Sequence, residues 1–332
     1  MRTGFFFKSL EMNFIQTLQP DIDEINFHLE ENLKSHVPLI SEINRHILIG
    51  GGKRLRALLF VLCARLCGHS GEQLYHFSSI FEYLHAATLL HDDVIDNADS
   101  RRGKASANVV WGNSASVLVG DFLLAKSFAL AVETQSLRFL DILSRTTAFM
   151  AEGMVSELIY SSNLEVTEEV YRNILINKTA ILISAACQTG AILGKASPEQ
   201  EKALAQYGLE IGISFQMVDD LLDYIGTKKD FGKPVGNDFK EGKITLPLIY
   251  TLKQSSEKEK NRIKEIAEKK SFAPEDFNFL LELVTKHGGL DYTREKAMAA
   301  KNQAKGFIAQ FPDNAISRTL LDLADYVIER NK

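Results

Sequence analysis

The chain has 332 residues, 45% hydrophobic and 24% charged, with a net charge of −5. That balance gives no overall attraction to nucleic acid or to an anionic membrane, so any anion must be held by a local cluster of cations. Three cysteines, Cys63, Cys67 and Cys187, argue against a disulfide framework and for a reducing cytoplasm.

The N-terminal stretch MRTGFFFKSLEMNF is apolar only at Phe5, Phe6 and Phe7, too short for the core of a secretion signal. Residues 1–11 read as an extension, with Met12 an equal candidate start. No uncharged run approaches the roughly 18 apolar residues of a membrane span, which predicts a protein without an integral membrane segment. The segment ILIGGGKRLR then reads as a loop that carries Lys53, Arg54 and Arg56, its glycines letting backbone approach an anion closely. LLFVLCARLCGH follows as a buried helix with Cys63 and Cys67 as free thiols.

Residues 89–103, LLHDDVIDNADSRRG, end a greasy helix in Asp92, Asp93 and Asp96, then add Arg101 and Arg102. Residues four apart on a helix share a face, about 6 Å apart. Asp92 and Asp96 therefore repel each other unless a cation sits between them. Few hard oxygen ligands, with room for water and phosphate, suit Mg²⁺. The next non-helical region is predicted over DNADSRRGKASANVVWGN.

Helical periodicity resumes, with a start at Thr167-Glu168-Glu169 and Lys178 and Thr179 in NKTA. Ser197, Pro198 and Gln200 form the sequence of a capping box. Leu204, Tyr207, Ile211, Phe215, Val218 and Leu222 then trace one apolar stripe. That stripe ends in DDLLD, where Asp219, Asp220 and Asp223 repeat the spacing of the first cluster. Two clusters of one spacing, each after an apolar run, are far harder to read as solvated faces than one alone. TKKDFGKPVGNDFKEGKITLP is a loop with Lys233 and Lys243. Residues 255–270 are a solvated helix face, and Ala273-Pro274-Glu275 starts another helix. With 7 prolines and almost no period-two alternation, residues 1–332 read as a single all-α domain. The acids would grip metal, the metal a diphosphate, and the cations a second anion site.

In GGGKRLR, Glu82 and His85, DDVID with RRG, Lys178-Thr179, FQMVDDLLD and the two loop lysines, the chain resembles the trans-isoprenyl diphosphate synthase (polyprenyl synthetase) family. One departure is Ala57, where many relatives have proline. The resemblance implies an isoprenoid synthase fold, a helical bundle around a central cavity. It implies that Asp92, Asp96 and Asp219 hold Mg²⁺, three ions per site, with Asp93, Asp220 and Asp223 in support. Arg101, Lys178, Lys233 and Lys243 would bind the allylic diphosphate. Lys53, Arg56, His85 and Arg102 would bind isopentenyl diphosphate, and Thr179, Phe215 and Gln216 would stabilise positive charge on the allylic carbon. A homodimer is also implied.

The hydrocarbon must grow along the helix before Asp92. Ala87, Thr88 and Leu84 are its expected wall, and Tyr83 or Phe128 its floor. A small Ala87 and an uninterrupted DDVID predict a product longer than C20, of octaprenyl type, which Ala87→Phe would shorten. The alternatives are a farnesyl or geranylgeranyl diphosphate synthase, a terpene cyclase and a regulatory subunit that kept the helical fold. The His91-Asp92 doublet also suggests a metal-dependent phosphohydrolase, but only His287 follows it as a further ligand. His85 has the plainer reading of a packed core histidine.

Overall fold

The computed structural model describes residues 3–49, 52–71, 73–226, 236–269 and 272–329, with side chains from Gln16 onward. The first helices are α1 (Thr3–Asn32), α2 (Pro38–Asn44), α3 (Leu55–Leu66) and α4 (Leu74–Ile95). Next come α5 (Ala107–Trp111), α6 (Asn113–Glu133), α7 (Leu137–Ile159), α8 (Glu168–Leu175), α9 (Ile181–Leu193) and α10 (Pro198–Ile225). The chain closes with α11 (Asn237–Lys240), α12 (Leu246–Gln254), α13 (Glu257–Ala267), α14 (Pro274–Lys286), α15 (Gly289–Ile308) and α16 (Ala315–Glu329). Two π-helical turns interrupt this series: Arg45–Ile49 leaves α2, and Ile176–Ala180 joins α8 to α9. Residues 1–11 were expected to be an extension, yet from Thr3 they belong to α1.

The predicted caps form. Ser197 accepts from the Gln200 amide while the Gln200 side chain returns to Ser197, and Thr167 caps α8 through Val170. Helix α3 has no polar face over Ala57–Ala64, and every residue of that run is buried, as a helix apolar all round must be. It packs on α9, which packs on α10; α10 in turn lies along α15, and α4 along α6. At Gly208 of α10 a Cβ would sit 2.7 Å from the Ile183 carbonyl, so only glycine lets α9 and α10 approach this closely. One apolar cluster surrounds α3, α4 and α9, a second the C-terminal half of α10 with α12 to α15, and α10 contributes to both. The stripe Leu204–Leu222 is buried except at Phe215, which is half-buried. Cys63 and Cys187 are buried free thiols and Cys67 is half-buried.

Three expectations change. The segment ILIGGGKRLR is not wholly loop, because Ile47–Ile49 close the first π turn. The region after α4 holds a small antiparallel hairpin, Ser100–Arg101 against Lys104–Ala105, and then α5. Arg102 and Gly103 turn it with φ of 51° and 74°, the two left-handed positions of a type I′ turn. Finally, α6 and the helical run Glu168–Leu193 are long and apolar enough to cross a membrane by length and composition. The expectation of no such run overlooked that two charges, Asp121 and Lys126, are too few to disqualify α6. Glu168–Leu193 is mostly buried within the bundle.

Candidate active site

Helix α4 ends one residue before Asp96, so the first acid cluster stands on its last turn. Asp92 and Asp96 open onto a cavity of about 440 Å³, and Asp219 and Asp223 face it from α10. The i,i+4 spacing thus puts both acid pairs on one cavity. Lys178, from the second π turn, hydrogen-bonds Glu157 and lies 3.6 Å from Asp92. Lys243 reaches Asp96 at 3.1 Å and Glu241 at 2.5 Å. Burial raises the Asp92 pKa, with Glu157 and Asp96 adding to it and Lys178 opposing. Burial works against the Lys178 charge, but Asp92 and Glu157 outweigh it and raise its pKa. The same contest raises Lys243.

The middle acids do different work. Asp93, 1% exposed, takes a bidentate bond from Arg101, with Nε 2.9 Å from both oxygens and Nη2 2.7 Å from Oδ1. It orients Arg101 at the cavity edge and is itself absent from the lining. Asp220 accepts from Tyr171 Oη at 2.5 Å and Gln216 Nε2 at 2.9 Å. Burial lifts it to about 7, against the pull of those two bonds. Gln216 Oε1 in turn accepts from Thr179 at 3.1 Å, so the chain Tyr171–Asp220–Gln216–Thr179 fixes the amide. Asp223 accepts from the Asn237 and Asp238 amides at 3.1 and 3.2 Å, capping α11.

The second π turn is squeezed into place. A Cβ on Gly153 of α7 would lie 2.7 Å from the Lys178 amide nitrogen, and one on Gly212 of α10 2.5 Å from Ala180 Cα. Such turns widen the helix and release backbone groups from regular bonding, a common device at functional sites.

Arg56, His85, Arg101 and Arg102 line the cation-rich side of the cavity. Among the described residues the buried Arg56 Nε has no hydrogen-bond partner, which suits a group waiting for an anion. Burial lowers the Arg56 pKa. Burial and then Arg56, Arg102, Arg101 and Arg54 push His85 well below the usual range, so its imidazole is neutral near pH 7. Arg54 is structural: it bonds Asn26 Oδ1 at 2.8 Å and the Leu48 carbonyl at 2.5 Å, and faces Glu82 at 3.5 Å.

Several sequence expectations need correction. Lys53 is exposed, off the cavity lining, with its ammonium 4.8 Å above the Tyr326 ring. Lys233 lies outside the described residues. Of the expected hydrocarbon wall only Thr88 lines the cavity, since Ala87 and Leu84 are buried in packed core. Tyr83 turns away and donates to the Leu29 carbonyl at 2.8 Å; Phe128 packs half-buried against the core. The apolar lining residues are Leu89, Met150, Met154, Phe215 and Leu222. In the packed core Phe81 stands against Phe60 and Phe139, with centroids 5.3 and 6.4 Å apart. The reading missed Met150, Met154, Glu157, Asp238 and Glu241. Met150, Met154 and Glu157 recur at helical spacing in AFMAEGMVSE, a signal that was there to find. The predicted metal ligands fit Mg²⁺ by chemistry: all are hard carboxylate donors on one cavity, and two, Asp92 and Asp96, already pair with lysine ammonium groups. Among the described residues no three His, Cys, Asp or Glu form a ready-made metal cage.

Opposed acid walls, an arginine-lined anion site and an apolar end within one helical bundle define a prenyltransferase of the isoprenoid diphosphate class. The chain belongs to the polyprenyl synthetase family, whose pattern matches residues 37–284. It is 38% identical to the octaprenyl diphosphate synthase of Haemophilus influenzae, covering 97% of this chain and 98% of that one. A decaprenyl diphosphate synthase structure from Rhodobacter capsulatus superposes with a TM-score of 0.90 at 42% identity, covering 96% and 99% of the two chains. A polyprenyl synthase structure from Caulobacter crescentus, complexed with calcium and isoprenyl diphosphate, gives a TM-score of 0.92 at 38% identity over 96% and 97%.

Proposed function

We propose that the whole chain is one all-α catalytic domain that joins isopentenyl diphosphate head-to-tail to an allylic diphosphate. Repeated Mg²⁺-dependent additions would give an all-trans polyprenyl diphosphate longer than C20, of octaprenyl type. The observation that carries this reading is a single cavity lined by Asp92, Asp96, Asp219 and Asp223 from both acid clusters together with Thr88, Leu89, Met150 and Met154. The long-chain relatives from Haemophilus and Rhodobacter support the product class, and the calcium complex from Caulobacter supports a divalent ion.

Mg²⁺, three ions in this reading, would be held by Asp92, Asp96 and Asp219 and supply Lewis-acid neutralisation of the departing diphosphate. Lys178 and Lys243 stand beside those aspartates and add fixed positive charge, joined by Arg101 and by Lys233. Arg56, Arg102 and neutral His85 hold isopentenyl diphosphate, His85 by one N–H without further charge. Lys53 joins them only if it leaves Tyr326. The oriented Gln216 amide, the carbonyls released at the Thr179 turn and the Phe215 ring face stabilise positive charge on the allylic carbon. Methionine and phenylalanine walls exclude water that would quench it. The released diphosphate takes the final proton.

Incubation with Mg²⁺, farnesyl diphosphate and labelled isopentenyl diphosphate should yield chains beyond C20. Thr88→Phe, on the lining, should shorten them by several isoprene units, each about one helical turn of depth. Parent products stopping at C20 would refute the long-chain reading, and phosphate release without elongation would favour a phosphohydrolase.

We also infer a homodimer. Leu118 and Val132 of α6 are 67% and 61% exposed, and Leu158 and Ile159 of α7 are 65% and 69% exposed, an apolar face of the kind that marks association. A monomeric mass in sedimentation at micromolar concentration would refute it.

A further inference from the structure

We infer that His46 is a positioning residue for Arg102, latching the arginine hairpin to the segment that supplies Arg56. The inference rests on the reading of Arg102 as an isopentenyl diphosphate ligand. His46 lies on the first π turn, which runs directly into residues 50–56. Its Nε2 is 2.9 Å from the Ala105 carbonyl, and a carbonyl only accepts, so Nε2 carries the proton. Trp111 of α5 meets the ring edge-on, with centroids 5.1 Å apart and planes at 79°, which fixes the direction of that N–H.

The hairpin needs such a fastener. Arg102 adopts a left-handed backbone, φ 51°, which non-glycine residues keep only where the surroundings impose it. The first strand is fastened through Arg101 to Asp93, and Ser106 below the hairpin donates to the Ala98 carbonyl. His46 fastens the second strand at Ala105, opposite Ser100. At the tip the Arg102 guanidinium rests against Gly52, where an added Cβ would lie 3.4 Å from Nη1. Base and tip of the hairpin thus contact His46 and Gly52, one on each side of residues 50–51 in the sequence. Arg102 and Arg56 reach the cavity from different elements; His46 sets their separation. A bidentate or paired anion site tolerates little error in that separation.

The test compares His46→Ala, His46→Gln and Arg102→Ala in steady-state kinetics with each diphosphate varied, alongside calorimetric binding of isopentenyl diphosphate and thermal unfolding. His46→Ala should raise KM and Kd for isopentenyl diphosphate about three- to ten-fold, the range for one lost neutral hydrogen bond. kcat and the allylic KM should stay within about two-fold. The glutamine amide Nε2 matches the reach of the imidazole Nε2, so His46→Gln should restore most of the binding. Unchanged isopentenyl binding in His46→Ala, while Arg102→Ala loses it, overturns the latch alone. Unchanged binding in Arg102→Ala overturns the ligand assignment beneath it. A uniform fall in kcat and melting temperature that glutamine does not rescue would make His46 a packing residue and overturn the inference.

Discussion

In the Asp92→Asn variant, kcat/KM for the allylic diphosphate falls by about 10³-fold or more, while the metal-free protein unfolds no more easily than the parent. The first part follows from removing one of three proposed metal carboxylates: losing several kcal/mol of charge stabilisation in the transition state, taken as about 4, corresponds to about 10³ in rate. The second follows from crowding. Burial, Glu157 and Asp96 all disfavour the Asp92 charge, so a neutral amide relieves like-charge repulsion. Lys178 keeps its hydrogen bond to Glu157 and is not left buried and unpaired. Steady-state kinetics check the first part, and thermal unfolding with and without Mg²⁺ and a non-hydrolysable diphosphate checks the second. Ligand that binds only the folded state raises the melting temperature by mass action, so the parent should shift and the variant should not. A variant with the parental shift, or with near-parental turnover, would remove Asp92 from the metal site.

What the sequence made legible follows the range of its signals. Asp92 with Asp96, and Asp219 with Asp223, could be placed because four residues on a helix define one face, and the structure puts both pairs on one cavity. The capping box at Ser197 is equally local and formed as expected. Tyr83 was misplaced by phase. Nine residues at about 100° each is half a turn out of register with Asp92, so its hydroxyl meets Leu29 on α1. Phe81, eleven residues back, returns nearly to the Asp92 face at that angle, and it is buried against Phe60 and Phe139. Lys53 failed for another reason: its neighbour across space, Tyr326, is far away in sequence, and no local pattern announces a cation–π contact. The glutamates behind Lys178 and Lys243 are also tertiary facts. Buried lysines of this kind require carboxylates, but the sequence does not say which ones.

Gly153→Ala should reduce kcat by about 10²-fold although residue 153 does not line the cavity. On propensity alone the change favours α7, since alanine is better than glycine in a helix interior by about 1 kcal/mol. The local geometry reverses that sign. The new Cβ would lie 2.7 Å from the Lys178 amide nitrogen and 2.9 Å from the Asn177 carbonyl carbon. Both are backbone atoms, so no flexible side chain can swing aside, and Gly212 holds the far side of the turn against Ala180. Overpacking of this kind destabilises by about 1–3 kcal/mol. Relief requires the turn Ile176–Ala180 to move, and with it Lys178 away from Asp92 and Thr179 away from Gln216. A misplacement of about 1 Å at such a site costs about 10² in rate. Gly306→Ala provides the comparison, because Gly306 lies in α15 with nothing within 4 Å of an added Cβ. That variant should be fully active and stabilised by about 0.5–1 kcal/mol. Equal turnover in the two variants, measured at saturating diphosphates, would mean that the second π turn is not held by α7, and that the position of Lys178 does not depend on it.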